Sequence, residues 1–163
     1  MPSADVASGL PFSERGGWWV VAQVPLLAFA VVLPPWTARA DGGFGHPLQW
    51  LGLALAAGGM LLVLAGLAAL GRALTPFPHP REGAQLVRRG VYGLVRHPVY
   101  AGLLVGALGW ALAWLSVAGV VFSALLAAFF DRKARREERW LRSRFPEYAA
   151  YERQVRRFIP GIY

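Results

Sequence analysis

The segment Val95-Arg96-His97-Pro98-Val99-Tyr100-Ala101-Gly102 sets a guanidinium, an imidazole and a phenol where a basic loop enters an apolar run. Further along, past that run, the chain reads Arg136-Glu137-Glu138-Arg139-Trp140-Leu141. Pro98 has no amide hydrogen and suits the first turn of a helix, so the free amides around it can face an anion. A glutamate at the mouth of the hairpin can accept hydrogen bonds from an ammonium or from hydroxyls. The rings of Tyr92 and Tyr100 can stabilise a cation by about 0.5 to 2 kcal/mol. Taken singly, each residue has a plainer reading. Arg96, His97, Tyr92 and Tyr100 would mark a membrane interface, and Trp140 would anchor in it. Helical spacing would pair Lys133 with Glu137 and Glu138 with Arg142 on a solvated face, worth a few tenths of a kcal/mol. Their conjunction at the two ends of one apolar hairpin points instead to a binding site at the membrane surface.

The elements that position these residues are apolar. The chain has 163 residues, 56% hydrophobic and 16% charged, too apolar for a soluble domain of this size. It reads as a single membrane domain over 1–163. The net charge of +8 does not imply nucleic acid, because the basic residues interleave with long apolar runs and juxtamembrane arginines attract anionic headgroups. Cysteine is absent, which excludes disulfides and thiolate chemistry. His46, His79 and His97 show no metal-ligand spacing, so no metal is expected.

A first span is expected over about 17–36, bent at Pro25 and closed by Pro34-Pro35-Trp36. Ala38-Arg39-Ala40 resembles a signal-peptidase site, but Asp5 and Glu14 leave the leading segment without net positive charge. A second span covers about 48–74, ending near Arg72. The run from Val99 to Phe130 is too long for one helix, roughly 48 Å against a hydrocarbon core of about 30 Å. Folding it at Leu115-Ser116, near Gly119, gives spans over about 98–114 and 117–138. Four spans gather Arg72, Arg81, Arg88, Arg89, Arg96 and the arginines from Arg132 to Arg157 on one side, leaving Arg39 opposite, as the positive-inside rule prefers. The expectation is therefore an all-α integral membrane protein of the cytoplasmic membrane. It has four transmembrane helices, the last two a hairpin, with both termini and the site cytosolic. Gly102, Gly106 and Gly109 permit close approach of a neighbouring helix. An amphipathic segment over 139–160 carries a short C-terminal interfacial helix, its Tyr148, Tyr151, Val155 and Phe158 face on the membrane. Prolines in Thr75–Pro80 favour extended backbone within the connecting loop 75–97.

Read together, Leu86-Val87-Arg88-Arg89-Gly90-Val91-Tyr92, Arg96-His97-Pro98-Val99-Tyr100-Ala101-Gly102 with Gly109, Glu137-Glu138-Arg139-Trp140-Leu141, Phe145, and Tyr148, Tyr151, Val155 and Pro160 resemble the isoprenylcysteine carboxyl methyltransferase-like family of integral membrane methyltransferases. The resemblance covers roughly 75–160, and phospholipid N-methyltransferases are relatives of that family. It implies S-adenosylmethionine as methyl donor, bound at the cytosolic mouth of the last two membrane helices beneath the C-terminal helix. It places Gln85, Leu86 and Val87 along the cofactor, Tyr92 against it, His97, Pro98, Val99 and Tyr100 at its helix-terminal pocket, and Glu137 as its polar anchor. Where the prenylcysteine enzymes hold the substrate carboxylate with an arginine, this chain has Lys133, which keeps the charge without the bidentate fork. Phe145-Pro146 stands where the family usually has Phe-Gly, and Tyr148 comes one residue early.

Methyl transfer from a sulfonium needs alignment and exclusion of water rather than a protein nucleophile or a metal. A carboxylate acceptor needs a cation nearby. An amine acceptor also needs a route for its proton, which Glu138 or His97 could supply. The expected partners are a lipophilic small-molecule or lipid substrate and membrane lipids. Carboxyl O-methylation of a prenyl- or lipid-like substrate leads, with phospholipid or amine N-methylation as the alternative. A non-catalytic membrane protein whose basic tail binds anionic lipid or a partner is a reading of another class, and a membrane reductase is a third.

Overall fold

A computed structural model describes residues 16–38, 45–71 and 86–163, and all that follows concerns these. The expectations at Asp5, Glu14, Arg39, Arg72, Thr75–Pro80, His79, Arg81 and Gln85 lie outside the described residues. The chain is helical: α1 (Gly17–Thr37), α2 (Pro47–Leu70), a 3₁₀ turn (Gly90–Gly93), α3 (Pro98–Ala113), α4 (Val117–Arg144) and the short α5 (Tyr148–Gln154).

Local chemistry sets the helix ends. Pro47 occupies the first turn of α2, where its missing amide costs nothing, while His46 Nδ1 accepts the Leu48 amide at 3.2 Å and Gln49 Oε1 accepts the His46 amide at 2.9 Å. His97 and Pro98 repeat the proline device at α3. Pro34 and Pro35 do not close α1, which continues to Thr37. Pro35 brings no N–H to the Val31 carbonyl four residues earlier, and Trp110 Nε1 from α3 satisfies that carbonyl at 2.9 Å. The Thr37 hydroxyl then bonds back to the Leu33 carbonyl and meets the Ser116 hydroxyl at 2.6 Å.

α1 and α2 are long and apolar enough to cross a membrane. Such helices also form the cores of soluble proteins, but there they are buried. Here only 17% and 11% of the apolar windows are buried, and Val24, Phe29, Trp36, Met60 and Leu61 face outward. The run from Val99 to Phe130 is not one rod: it folds at Trp114–Ser116, where Leu115 takes a left-handed φ of 50° and Ser116 Oγ caps α4 by accepting the Gly119 amide at 2.9 Å. α3 is short and apolar, and α4 turns polar at Asp131.

α2 and α3 pack with their backbones nearly touching. A Cβ on Gly52 would lie 2.6 Å from the Gly109 carbonyl oxygen, and one on Gly59 would lie 2.6 Å from that of Gly102. Gly102 and Gly109 meet α2 in the same way, whereas a Cβ on Gly106 would meet nothing within 4 Å. Two of the three expected glycines therefore allow the approach through their own missing side chains. α1 lies against α4 through Ala30, Leu126 and Phe130, with Trp19 on Phe129 and Phe29 on Phe122.

Candidate active site

The two arms of the hairpin and the C-terminal segment meet around Glu138. Its carboxylate is fully buried, on the polar extension of α4. Oε1 accepts Arg96 Nε at 3.0 Å, Arg96 Nη2 at 2.9 Å and Arg157 Nε at 3.1 Å, and it lies 3.2 Å from His97 Nε2. Oε2 accepts Arg157 Nη2 at 2.7 Å. Burial pushes the Glu138 carboxyl up, but hydrogen bonds from His97 and Arg157 and the charge of Arg96 outweigh it and hold it well below the usual carboxylate range. A carboxylate this fully engaged by cations is a poor proton acceptor. The same contacts bind the α3 entry to the tail.

That tail is also joined through main chain. The Arg96 amide donates to the Arg156 carbonyl at 2.8 Å and the His97 amide to the Arg157 carbonyl at 3.1 Å, around a parallel bridge between Val95 and Arg156. Arg96 Nη1 reaches the Glu152 and Val155 carbonyls. The Tyr151 hydroxyl donates to the Tyr92 carbonyl, and burial pushes that phenol up to about 12. Tyr148 and Tyr151 are both buried. The tyrosine face of the tail, expected on the membrane, is thus turned inward onto the loop before α3. Arg157 also pairs with Asp131 at 2.8 Å, which the Tyr163 hydroxyl joins at 2.8 Å.

Glu137 points elsewhere. It is 26% exposed, accepts the Tyr100 hydroxyl on Oε2 at 3.0 Å, and has His97 Nδ1 at 3.7 Å. The His97 ring lies between the two carboxylates and stacks on Tyr100 at 5.4 Å. Tyr92 is buried beside this group, its phenol raised by burial and by the charge of Glu137. Pro98 is buried in the first turn of α3, with Val99 half-buried after it, and Leu86 and Val87 are half-buried in the loop.

Lys133 departs most from the sequence pattern. It is 2% exposed, and among the described residues no carboxylate lies within 4 Å of its ammonium. Instead it donates to Gln23 Oε1 on α1 and sits over the Tyr100 ring, 5.3 Å from the centroid. Arg142 lies 3.8 Å from Glu138 but makes its close pair with Glu152 at 2.7 Å. The expected i,i+4 face is therefore not a solvated one: Glu138 and Lys133 are buried, their local partners Arg142 and Glu137 stand off, and their short contacts are with remote groups. Trp140 carries the Arg136 guanidinium 5.1 Å from its ring centre.

The structure thus brings His97, Tyr100, Glu137 and Lys133 together, with Tyr92 at the edge. Sequence reasoning missed Arg157, Asp131 and Gln23. Gln23 did carry a signal, as the one polar side chain from Val20 through Pro35 in an apolar span. Arg157, one of many arginines in the tail, carried none.

A family model for phospholipid methyltransferases matches residues 48–148, from the start of α2 to the start of α5. The cobalt-zinc-cadmium resistance protein CzcN of Cupriavidus metallidurans is 37% identical over 73% of this chain and 56% of its own length. The nickel-cobalt-cadmium resistance protein NccN of Alcaligenes xylosoxydans is 30% identical over 90% of this chain and 64% of its own. A probable protein-S-isoprenylcysteine O-methyltransferase of Oryza sativa is 35% identical over 52% of this chain and 45% of its own. The chain spans about half to just under two-thirds of the length of these relatives. Two of the names concern metals, yet among the described residues no group of three or more His, Asp or Glu side chains is arranged to hold a metal ion. Matched by the family model over more than half its length, the chain belongs to the phospholipid methyltransferase family, with isoprenylcysteine carboxyl methyltransferase-like proteins among its relatives.

Proposed function

We propose that the chain is an S-adenosylmethionine-dependent membrane methyltransferase that modifies the polar end of a lipophilic acceptor, with carboxyl O-methylation as its reaction. The observation that carries this reading is the cluster in which both arms of the α3–α4 hairpin contribute polar groups: His97 and Tyr100 from one, Lys133 and Glu137 from the other. In this reading α1, α2 and the hairpin make four crossings, with the site and both termini on the cytosolic side of the cytoplasmic membrane.

The residues present suit the methyl donor. Among the described residues Glu137 Oε1 makes no hydrogen bond, leaving it to accept from hydroxyls, while Tyr100 fixes Oε2. Among the described residues the buried Tyr148 hydroxyl has no hydrogen-bond partner, a donor that a polar ligand atom would satisfy. Leu86, Val87, Tyr92, Pro98 and Val99 supply apolar wall and backbone, with Gln85 proposed on family grounds. The bound cofactor supplies an activated methyl group on a sulfonium. The protein aligns, holds charge and keeps water out. Lys133 orients the acceptor. A buried ammonium with no carboxylate within 4 Å among the described residues attracts an anion and repels a protonated amine, which favours a carboxylate over a lipid amine. His97, between two carboxylates, is the remaining group through which a proton could leave an amine acceptor.

The test is transfer of labelled methyl from S-adenosylmethionine into a lipid extract by the purified protein, with the labelled species identified. Base treatment releases methanol from an ester and leaves an N-methyl group intact. Absence of labelling, together with a melting temperature unmoved by millimolar S-adenosylhomocysteine, would favour a non-catalytic protein that binds anionic lipid.

A further inference from the structure

α1 lies outside the region matched by the family model, yet it places one polar side chain in the site. Gln23 stands alone among apolar residues from Val20 through Pro35, where an unsatisfied amide in hydrocarbon would be costly. It is half-buried, and its carboxamide oxygen takes a hydrogen bond from Lys133 Nζ. A lysine ammonium only donates, so the atom facing it must be Oε1, and the neighbouring Nε2 group remains a donor. Among the described residues that group makes no hydrogen bond. Lys133 is almost wholly buried, among the described residues no carboxylate lies within 4 Å of its ammonium, and the Glu137 charge acts on it only from further away, so this corner of the bundle suits an anion.

We infer that Gln23 and Lys133 form a composite fork for the acceptor carboxylate: Lys133 Nζ donates to one oxygen and Gln23 Nε2 to the other. A lone lysine provides a point charge without planar two-donor recognition, and the amide beside it restores the second donor. Tyr100 underlies the ammonium and ties it to Glu137, so the fork and the proposed cofactor anchor share one wall. This inference rests on the methyltransferase reading above. In the reaction one carboxylate oxygen forms a bond to the methyl carbon as the carbon–sulfur bond breaks, with its electron pair leaving on sulfur. The carboxylate and sulfonium charges cancel and no proton is released. Gln23 is a positioning and specificity residue in this scheme, and it moves no proton.

The test uses the whole chain in lipid nanodiscs, labelled S-adenosylmethionine, and three acceptors: N-acetyl-S-farnesylcysteine, oleate and phosphatidylethanolamine. Wild-type protein is expected to give base-labile label with a carboxylate acceptor. Gln23→Leu is expected to raise KM for that acceptor about tenfold or more, the loss of one charge-assisted hydrogen bond, while affinity for S-adenosylhomocysteine stays within about twofold. Because Gln23→Leu also strips Lys133 of its amide partner, the deciding variant is Gln23→Leu combined with Lys133→Arg. Arginine brings its own two-donor fork and is expected to return KM to within about threefold of wild type. An unchanged KM in Gln23→Leu, or a double variant no better than the single, overturns the fork. Wild-type protein that binds S-adenosylhomocysteine but labels only phosphatidylethanolamine, in base-stable form, overturns the fork and leaves the methyltransferase reading standing. Neither cofactor binding nor label in any acceptor would remove both.

Discussion

Replacing Glu138 by glutamine tests whether the ion cluster holds the tail over the hairpin. The substitution keeps volume and shape but removes the charge and turns one acceptor oxygen into a donor that faces donors. In the native protein that oxygen pair meets Arg96, Arg157 and His97 within 3.2 Å, and the Arg96 and Arg157 side chains are only 9% and 13% exposed. Water can recover little of their lost solvation. Removing one partner from a buried ion network costs about 3 to 5 kcal/mol. For a chain of this length each kcal/mol moves Tm by about 2 to 4 °C, so Glu138→Gln should lower Tm by about 6 to 20 °C. The assay is thermal unfolding in detergent or nanodiscs, run as a cycle with Arg157→Leu. Arg157→Leu should cost much less in the glutamine background than alone, a coupling of about 2 kcal/mol or more. A loss below about 1 kcal/mol for Glu138→Gln, or strictly additive losses, would refute the assignment of tail closure to this carboxylate.

The remaining predictions follow from the same geometry. Because Glu138 is held below its unfolded value of about 4.3, its contribution is present in full above that pH and is lost as pH falls toward the folded pKa. Stability should therefore be flat in this respect from pH 8 to about 5 and decline below about pH 4.3, and Glu138→Gln should flatten most of that acid limb. Asp131 sustains a residual slope, since hydrogen bonds from Arg135 and Tyr163 outweigh burial and lower its carboxyl as well. Gly59→Ala would push a methyl into the Gly102 carbonyl, with backbone on both sides unable to yield. It should destabilise the protein by about 2 kcal/mol or more, while Gly106→Ala, which meets open space, should be neutral or stabilising by up to about 1 kcal/mol. Unfolding titrations of the pair would check this, and equal effects would contradict the close α2–α3 crossing. Glu137→Ala should cut S-adenosylhomocysteine affinity at least about tenfold in calorimetry, with stability changed by only about 1 kcal/mol through the lost Tyr100 bond. Wild-type affinity in that variant would displace the proposed anchor.

Features encoded in neighbouring residues were legible before any coordinates. The fold at Leu115-Ser116 follows from a run too long to cross once, with Gly119 close by, and His97-Pro98 opens α3 because proline is tolerated there. Remote partner choice was not legible, and helical spacing actively hid it. Asp131 with Arg135, Lys133 with Glu137 and Glu138 with Arg142 each stand four positions apart, so every acidic residue there has a local partner in the sequence without the rest of the chain. The fold prefers distant partners because Glu138 and Lys133 are buried. A single exposed pair cannot repay desolvation, whereas Arg96, His97 and Arg157 converging on Glu138, or Gln23 and Tyr100 on Lys133, supply several polar contacts at once. Two adjacent glutamates are also less alike than they look. Consecutive residues point about 100° apart on a helix, so Glu138 turns into the ion cluster while Glu137 turns toward Tyr100 and solvent. One carboxylate fastens the tail and its neighbour stays partly exposed, as the proposed cofactor anchor requires. The ring of His97 joins the two, with Nε2 3.2 Å from Glu138 and Nδ1 3.7 Å from Glu137.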